Sequence, residues 1–242
     1  MEVLGVIPAR GGSKAIPHKN LTIVAGRSLL AWTAAAASGS ATLTRTVLST
    51  DAEEIAREGR ELGLEVPFMR PYELAADDTP IVTVLQHLLN TLATTEQYKP
   101  KIVVLLQPTS PLRRPEHVDH AVQRLLDTGA DTVVSVIPVP HQFSPSSVMR
   151  EVDGRLVPFG DGPTVTRRQD KPVLYARNGP AVVAVRTTVL TQHGTLYGAD
   201  TRPFAMTSEE SIDIDGSWEL ELAAWLLARR ESGSGSSQPP DV

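Results

Sequence analysis

The chain opens Met1-Glu2-Val3-Leu4-Gly5-Val6-Ile7-Pro8 and continues Ala9-Arg10-Gly11-Gly12-Ser13-Lys14-Ala15-Ile16-Pro17-His18-Lys19-Asn20. Val3 to Ile7 is a nearly continuous apolar run of strand length, the pattern of a strand covered on both faces. Similar runs recur at Thr46 to Ser49, Val66 to Met69, Ile102 to Leu106, Thr132 to Ile137 and Ala181 to Val185. Helical spacing falls between several of them: Ile81 to Leu92 behind Asp78-Thr79-Pro80, Glu116 to Asp127 between Pro115 and Gly129, and Trp218 to Arg229. Such strands alternating with amphipathic helices predict a three-layer α/β sandwich around a mostly parallel sheet. On the last helix the spacing turns Leu222, Trp225 and Leu226 inward. Asp77 and Asp78 read as turn and capping residues.

The 242 residues fit one domain, over 1–230, with an inserted lobe at about 138–175. Prolines at 138, 140, 145, 158, 163 and 172 leave that lobe little room for a long helix. Within it, Ser147 to Arg150 and Arg155 to Val157 flank Asp153-Gly154, a hairpin signature, and the hairpin is expected to serve as a lid or a dimer contact. Residues 231–242, rich in Ser, Gly and Pro, read as a disordered tail.

A net charge of −5 excludes the overall basic field of a nucleic-acid binder. The absence of cysteine excludes disulfides, thiolate nucleophiles and thiolate-bound metals, so any metal must use oxygen or imidazole. His87, His117, His120 and His193 form no metal-binding pattern. The first residues lack a basic region and a cleavage site, and no run of about 18 apolar residues occurs. The expectation is a soluble cytoplasmic protein that binds neither nucleic acid nor membrane.

The chemistry gathers in three stretches. In the first, Gly11 and Gly12 let the backbone approach a ligand, and Arg10, Lys14 and Lys19 place three cations around the loop that follows the first strand, which suits a triphosphate. It is neither a P-loop nor a dinucleotide fingerprint. In the second, Gln107-Pro108-Thr109-Ser110-Pro111 follows an apolar strand and offers an amide and two hydroxyls on a stiff turn, suited to holding a base or ribose. In the third, Ile212-Asp213-Ile214-Asp215 has period two, so an extended chain sends both isoleucines to the core and both carboxylates to one open face, where they can share a hard cation. Each stretch alone is also compatible with a plain turn or a solvated edge.

Taken in order, these stretches resemble the acylneuraminate cytidylyltransferase family. The run Ile7 to Asn20 is similar to that family's opening signature. Similar motifs follow at Ser49-Thr50-Asp51-Ala52-Glu53-Glu54-Ile55, Arg70-Pro71-Tyr72-Glu73-Leu74-Ala75, Leu105 to Arg113, Asn178-Gly179 and Ser211 to Asp215. The resemblance spans about residues 2–230 and implies a nucleotide-diphospho-sugar transferase-like, Rossmann-type fold. It implies nucleotide binding by Ala9, Arg10, Gly11, Gly12, Ser13, Lys14 and Asn20, with Arg70, Gln107, Thr109 and Ser110 on the cytidine side. It further implies Mg²⁺, with Mn²⁺ as an alternative, on Asp213 and Asp215, and an acidic sugar held by Arg168, Gln169, Arg177 and Asn178, with Gln142 beside them. Two departures stand out. The family's second arginine usually precedes the asparagine by two places, where this chain has Ala176 and then Arg177, and His141 to Pro145 lacks a lysine that some members carry.

The reaction implied is attack by the anomeric hydroxyl of a 2-keto-3-deoxy sugar acid on the α-phosphorus of CTP. Arg10, Lys14 and Lys19 neutralise the triphosphate, and Asp213 and Asp215 bind metal or help remove the hydroxyl proton. A homodimer is implied as well, in which Arg168 serves the neighbouring subunit. Alternatives are the same chemistry on keto-deoxy-octulosonic acid or a phosphonate, a nucleotide-binding module without turnover, and a pyrophosphorylase acting on a sugar 1-phosphate.

Overall fold

A computed structural model of the chain describes residues 1–13, 16–160, 167 and 172–233. Its centre is a seven-stranded sheet. In chain order the strands that build it are β1 (Val3–Pro8), β4 (Arg45–Ser49), β5 (Ile102–Leu105), β6 (Thr132–Pro138), β9 (Tyr175–Arg177), β10 (Val183–Arg186) and β11 (Thr201–Ala205), while β2 (Ile23–Val24) and β3 (Arg27–Ser28) pair only with each other. Their spatial order is β11-β6-β10-β5-β1-β4, with β9 paired to the far end of β6. The β1–β4, β1–β5 and β6–β11 pairs are parallel, whereas β10 runs antiparallel to both its neighbours.

The period-two pattern of β1 generates the layers. Val3 and Ile7 face α1 (Leu29–Ser38), α2 (Glu53–Glu61) and α4 (Pro115–Thr128), packing with Leu30, Ala34, Ile55, Val118 and Leu125. Leu4 and Val6 face the other way, toward Leu85, Leu88 and Leu92 of α3 (Ile81–Thr95) and Leu190 of α5 (Thr187–Gln192). These buried runs, one helix layer per face, are what a continuous apolar strand requires. A third cluster joins Trp32, Leu112 and Ile214 to Ala223, Leu226 and Leu227 of α6 (Ser217–Gly233).

The chain leaves β1 in one direction to reach β4 and returns past it to β5. The carboxyl ends of β1 and β5 therefore flank the point where the strand order reverses, which is where open α/β sheets leave a crevice.

Three local expectations are corrected. Val66 to Met69 is not a strand: only Glu65 bridges to β4, at Val47, and the next backbone bond runs from Arg70 N–H to the Thr50 carbonyl. Pro67 between these points has no N–H to give the ladder. Trp225 is not inward but 58 % exposed, beneath the guanidinium of Arg229, because the buried stripe of α6 runs through Ala223, Leu226 and Leu227. That helix also continues to Gly233, past the boundary expected at 230.

The lobe contains the expected hairpin, β7 (Met149–Val152) and β8 (Arg155–Pro158), as a separate two-stranded sheet. Asp153 and Gly154 both have positive φ, 49° and 73°, as a two-residue turn of the twist-matched type needs. The hairpin and its flanks expose Phe143, Met149, Leu156 and Phe159, with Leu156 at 71 %.

Candidate active site

Above the carboxyl ends of β1 and β5 lies an open crevice of about 320 Å³. It brings together Arg10, Gly12, Ser13, Lys19, Asn20, Gln107, Thr109, Asp213 and Asp215 from all three stretches singled out in the sequence, and Arg70 from outside them.

The loop after β1 is held open from outside. Gly11 N–H donates to Asp51 Oδ1 at 3.0 Å, and Asn20 Nδ2 donates to the Arg10 carbonyl at 2.9 Å. Arg10 pairs with Asp77 across the mouth of the crevice. The Asp213 and Asp215 wall is fixed by Ile214, which is fully buried and whose N–H donates to the Thr109 carbonyl at 2.8 Å. Lys19 Nζ donates to the Ile214 carbonyl and stands 3.8 Å from Asp215 Oδ1. One cation is thereby placed between the loop and the carboxylates.

Asp213 packs against the backbone of Gly179: a Cβ there would lie 2.7 Å from the Asp213 Cγ, and Gly179 has φ of 100°. This position admits no side chain. Burial pushes the Asp213 carboxyl above the usual carboxylate range, offset by the Thr109 hydroxyl, reinforced by Asp215 and opposed by Lys19 and Arg113.

Among the described residues no three His, Cys, Asp or Glu side chains gather to enclose a metal. Two carboxylates on an open face are nevertheless the donor set that Mg²⁺ uses when phosphates and water complete its shell. The residues fit that ion.

A sequence model described as "Cytidylyltransferase" matches residues 4–209. The chain belongs to the cytidylyltransferase family. It is 36 % identical over 230 residues to the CMP-N,N'-diacetyllegionaminic acid synthase of Legionella pneumophila, covering 94 % of this chain and 97 % of that protein. It is 30 % identical over 231 residues to the N-acylneuraminate cytidylyltransferase of Escherichia coli, covering 95 % of this chain but only 53 % of the longer relative. A solved structure of CMP:2-keto-3-deoxy-manno-octonic acid synthetase complexed with CTP shares the fold, with a TM-score of 0.71 at 18 % identity, over 95 % of this chain and 100 % of that one.

Not every expected residue of this cytidylyltransferase reaches the crevice. Ala9 is a core residue, and its N–H is committed to the Ser49 carbonyl at 3.0 Å. Ser110 is 1 % exposed and its hydroxyl faces the interior rather than the crevice. Asn178 is buried with its amide in use, accepting from Ser135 Oγ at 2.7 Å and donating to Ser211 Oγ at 2.8 Å. It ties β6 to the segment that carries Asp213. Arg177 lies on the ring of Tyr197, 4.9 Å from its centroid, so the displaced arginine does not line the crevice. Gln142 lines a separate cleft in the lobe, with Pro138, His141 and Leu174. Lys14, Arg168 and Gln169 lie outside the described residues.

Arg70 combines lining and support. Its Nε donates to Ser49 Oγ at 3.2 Å and its Nη2 to the Ser49 carbonyl, fixing the end of β4, and burial lowers its pKa against the pull of Asp51.

Two participants escaped the sequence reading. Asp77 is a partner of Arg10 and not a cap, for the residue that caps α3 is Pro80, without any side-chain bond. Arg113 is fully buried, and desolvation lowers its pKa to about 9 while Asp213 resists the fall. An arginine directly before Arg114-Pro115 and a helix carries no periodic signal that distinguishes it from a surface cation.

Proposed function

We propose that this cytidylyltransferase transfers CMP from CTP to the anomeric hydroxyl of a 2-keto-3-deoxy sugar acid, an N-acylneuraminate or a related nonulosonic acid, and releases pyrophosphate. The carrying observation is the single crevice in which Arg10 and Lys19 face the Asp213 and Asp215 carboxylates beneath a rigid Gln107 turn. The names of the Legionella and Escherichia relatives support the acceptor class, and the CTP complex of the structural neighbour supports the nucleotide.

Arg10 exchanges its Asp77 contact for phosphate oxygens, and Lys19, steadied by the Ile214 carbonyl, neutralises charge on the same chain of phosphates. Gln107 and Thr109 orient the nucleoside from a turn stiffened by Pro108. Asp213 and Asp215 would hold Mg²⁺, or Mn²⁺ in its place, which when bound draws charge off the triphosphate. The hydroxyl oxygen forms its bond to the α-phosphorus as the bond to the bridging oxygen breaks, that electron pair leaving with pyrophosphate and the hydroxyl proton passing to solvent.

The same reading includes a homodimer in the cytoplasm. The apolar side chains exposed on the hairpin support a partner surface there. Gln142, together with Arg168 and Gln169, then serves the acid sugar from a second copy's lobe. None of the described helices is long and apolar enough to cross a membrane.

The test is ³¹P NMR of CTP incubated with free keto-deoxy sugar acids or with sugar 1-phosphates. A CMP-sugar phosphodiester signal with a free acid supports the proposal, and turnover confined to sugar 1-phosphates would sink it.

A further inference from the structure

Four buried side-chain polar atoms among the described residues have no hydrogen-bond partner: His87 Nδ1, Ser110 Oγ, Arg113 Nε and Asp213 Oδ1. Three of the four belong to one corner of the molecule. Ser110 and Arg113 share the turn after β5, where Arg113 N–H donates to the Ser110 carbonyl at 3.3 Å. Asp213 is fastened to that turn through its neighbour, since Ile214 N–H donates to the Thr109 carbonyl. One orphaned buried polar atom costs about 1–3 kcal/mol, so three in one corner, none bonded directly to another, point to a shared partner such as a buried water.

The other bonds of Arg113 define what it braces. Nη1 donates to the Gln107 carbonyl at 3.0 Å and to the Ala181 carbonyl at 2.7 Å, and Nη2 donates to Thr33 Oγ1 at 2.8 Å. None of these acceptors is charged, and the carboxylate that offsets the guanidinium is Asp213. Ala181 lies two residues beyond Gly179, whose bare backbone is the cradle of the Asp213 side chain. One fork thus joins the turn bearing Gln107 to the strand end that seats Asp213, a geometry a lysine ammonium cannot reproduce.

We propose that Arg113 and Ser110 are positioning residues for Asp213, fixing its inner oxygen from behind so that the outer one is presented to the metal and triphosphate in the crevice. The inference rests on the cytidylyltransferase reading of that crevice. It assigns Ser110 to the support of the carboxylate rather than to the cytidine.

The experiment compares wild type, Ser110→Ala and Arg113→Lys by electron paramagnetic resonance titration of Mn²⁺ in the presence of CTP, alongside the Mg²⁺ dependence of pyrophosphate release. Ser110→Ala is expected to weaken Mn²⁺ binding and lower kcat by about tenfold, as loss of an outer-shell partner typically does, while KM for CTP stays within about twofold. Arg113→Lys is expected to do the same more strongly and to raise KM for CTP, because the Gln107 turn loses its brace. Wild-type Mn²⁺ affinity and kcat in Ser110→Ala, with only a lower melting temperature, would overturn the inference. Because Ser110→Ala removes a single atom, it remains decisive where Arg113→Lys fails to fold. A wild-type protein that binds Mn²⁺ with CTP but turns over no acid would overturn the function proposed above and leave the titration comparison standing.

Discussion

The crevice and the lobe are built on opposite plans. In the crevice the participants are cross-braced: Lys19 to Ile214, Ile214 to Thr109, Asn20 to Arg10, Arg70 to Ser49. In the lobe the hairpin makes its ladder with itself alone, and Phe143, Leu156 and Phe159 stand exposed. Fixed donors and charges are what an electrostatic site needs, because they require no reorganisation as charge moves. Exposed apolar side chains on a short hairpin are what an interface needs. Under the proposed function, the crevice of one chain serves the nucleotide and the exposed hairpin is the surface offered to a second copy.

Breaking the crevice gives the largest effect. Asp213→Asn keeps the shape and removes the charge, and kcat for pyrophosphate release is expected to fall by about 10²-fold or more, with calorimetry still detecting CTP binding. Arg10→Ala is expected to raise KM for CTP by about ten- to a hundredfold, since a charge-assisted contact to phosphate is lost. Leu156→Asp on the hairpin leaves the crevice intact, so sedimentation should report monomer and KM for the acid sugar should rise by about tenfold while KM for CTP moves little. A dimer unaffected by this change removes the lobe from the interface. Asp77→Asn is smaller again: it frees Arg10 from its competing carboxylate, and KM for CTP is expected to fall by about two- to threefold.

The smallest effect lies far from both regions. Burial would raise the pKa of Asp119, but bonds from Ser40, Thr42 and the backbone of Ala41 and Thr42 hold it below the usual carboxylate range. A depressed folded-state pKa contributes stability above the unfolded value, near 4, and that contribution disappears as pH falls through the folded value. Asp119→Asn should lower the melting temperature at neutral pH, and the difference from the wild type should shrink as pH falls from about 4 through the folded-state value.

Much of this was legible from residue order. The continuous apolar strands announced a doubly covered sheet, and Asp153-Gly154 announced the hairpin, because both depend on local chemistry. The Arg10 loop, the Gln107 turn and the Asp213-Ile214-Asp215 alternation were likewise legible, since each pattern is contained in a few consecutive residues. What was hidden depends on contacts distant in sequence. Asp77 looks like a helix cap until Arg10 is brought opposite it, and Ser110 looks like a ligand until its hydroxyl is found facing inward. Trp225 misled because α6 buries a stripe offset from its largest side chain. Asn178 and Arg177 sit in or beside a motif, yet the amide is engaged by Ser135 and Ser211, and the guanidinium rests on the Tyr197 ring.

The most direct test of the account is pyrophosphate release from CTP and Mg²⁺ across a panel of free 2-keto-3-deoxy sugar acids, with Asp213→Ala measured in parallel. Release is expected with at least one acid, dependent on Mg²⁺ and abolished in the variant. Release that persists undiminished in Asp213→Ala, or silence across the whole panel while CTP binds, would contradict it.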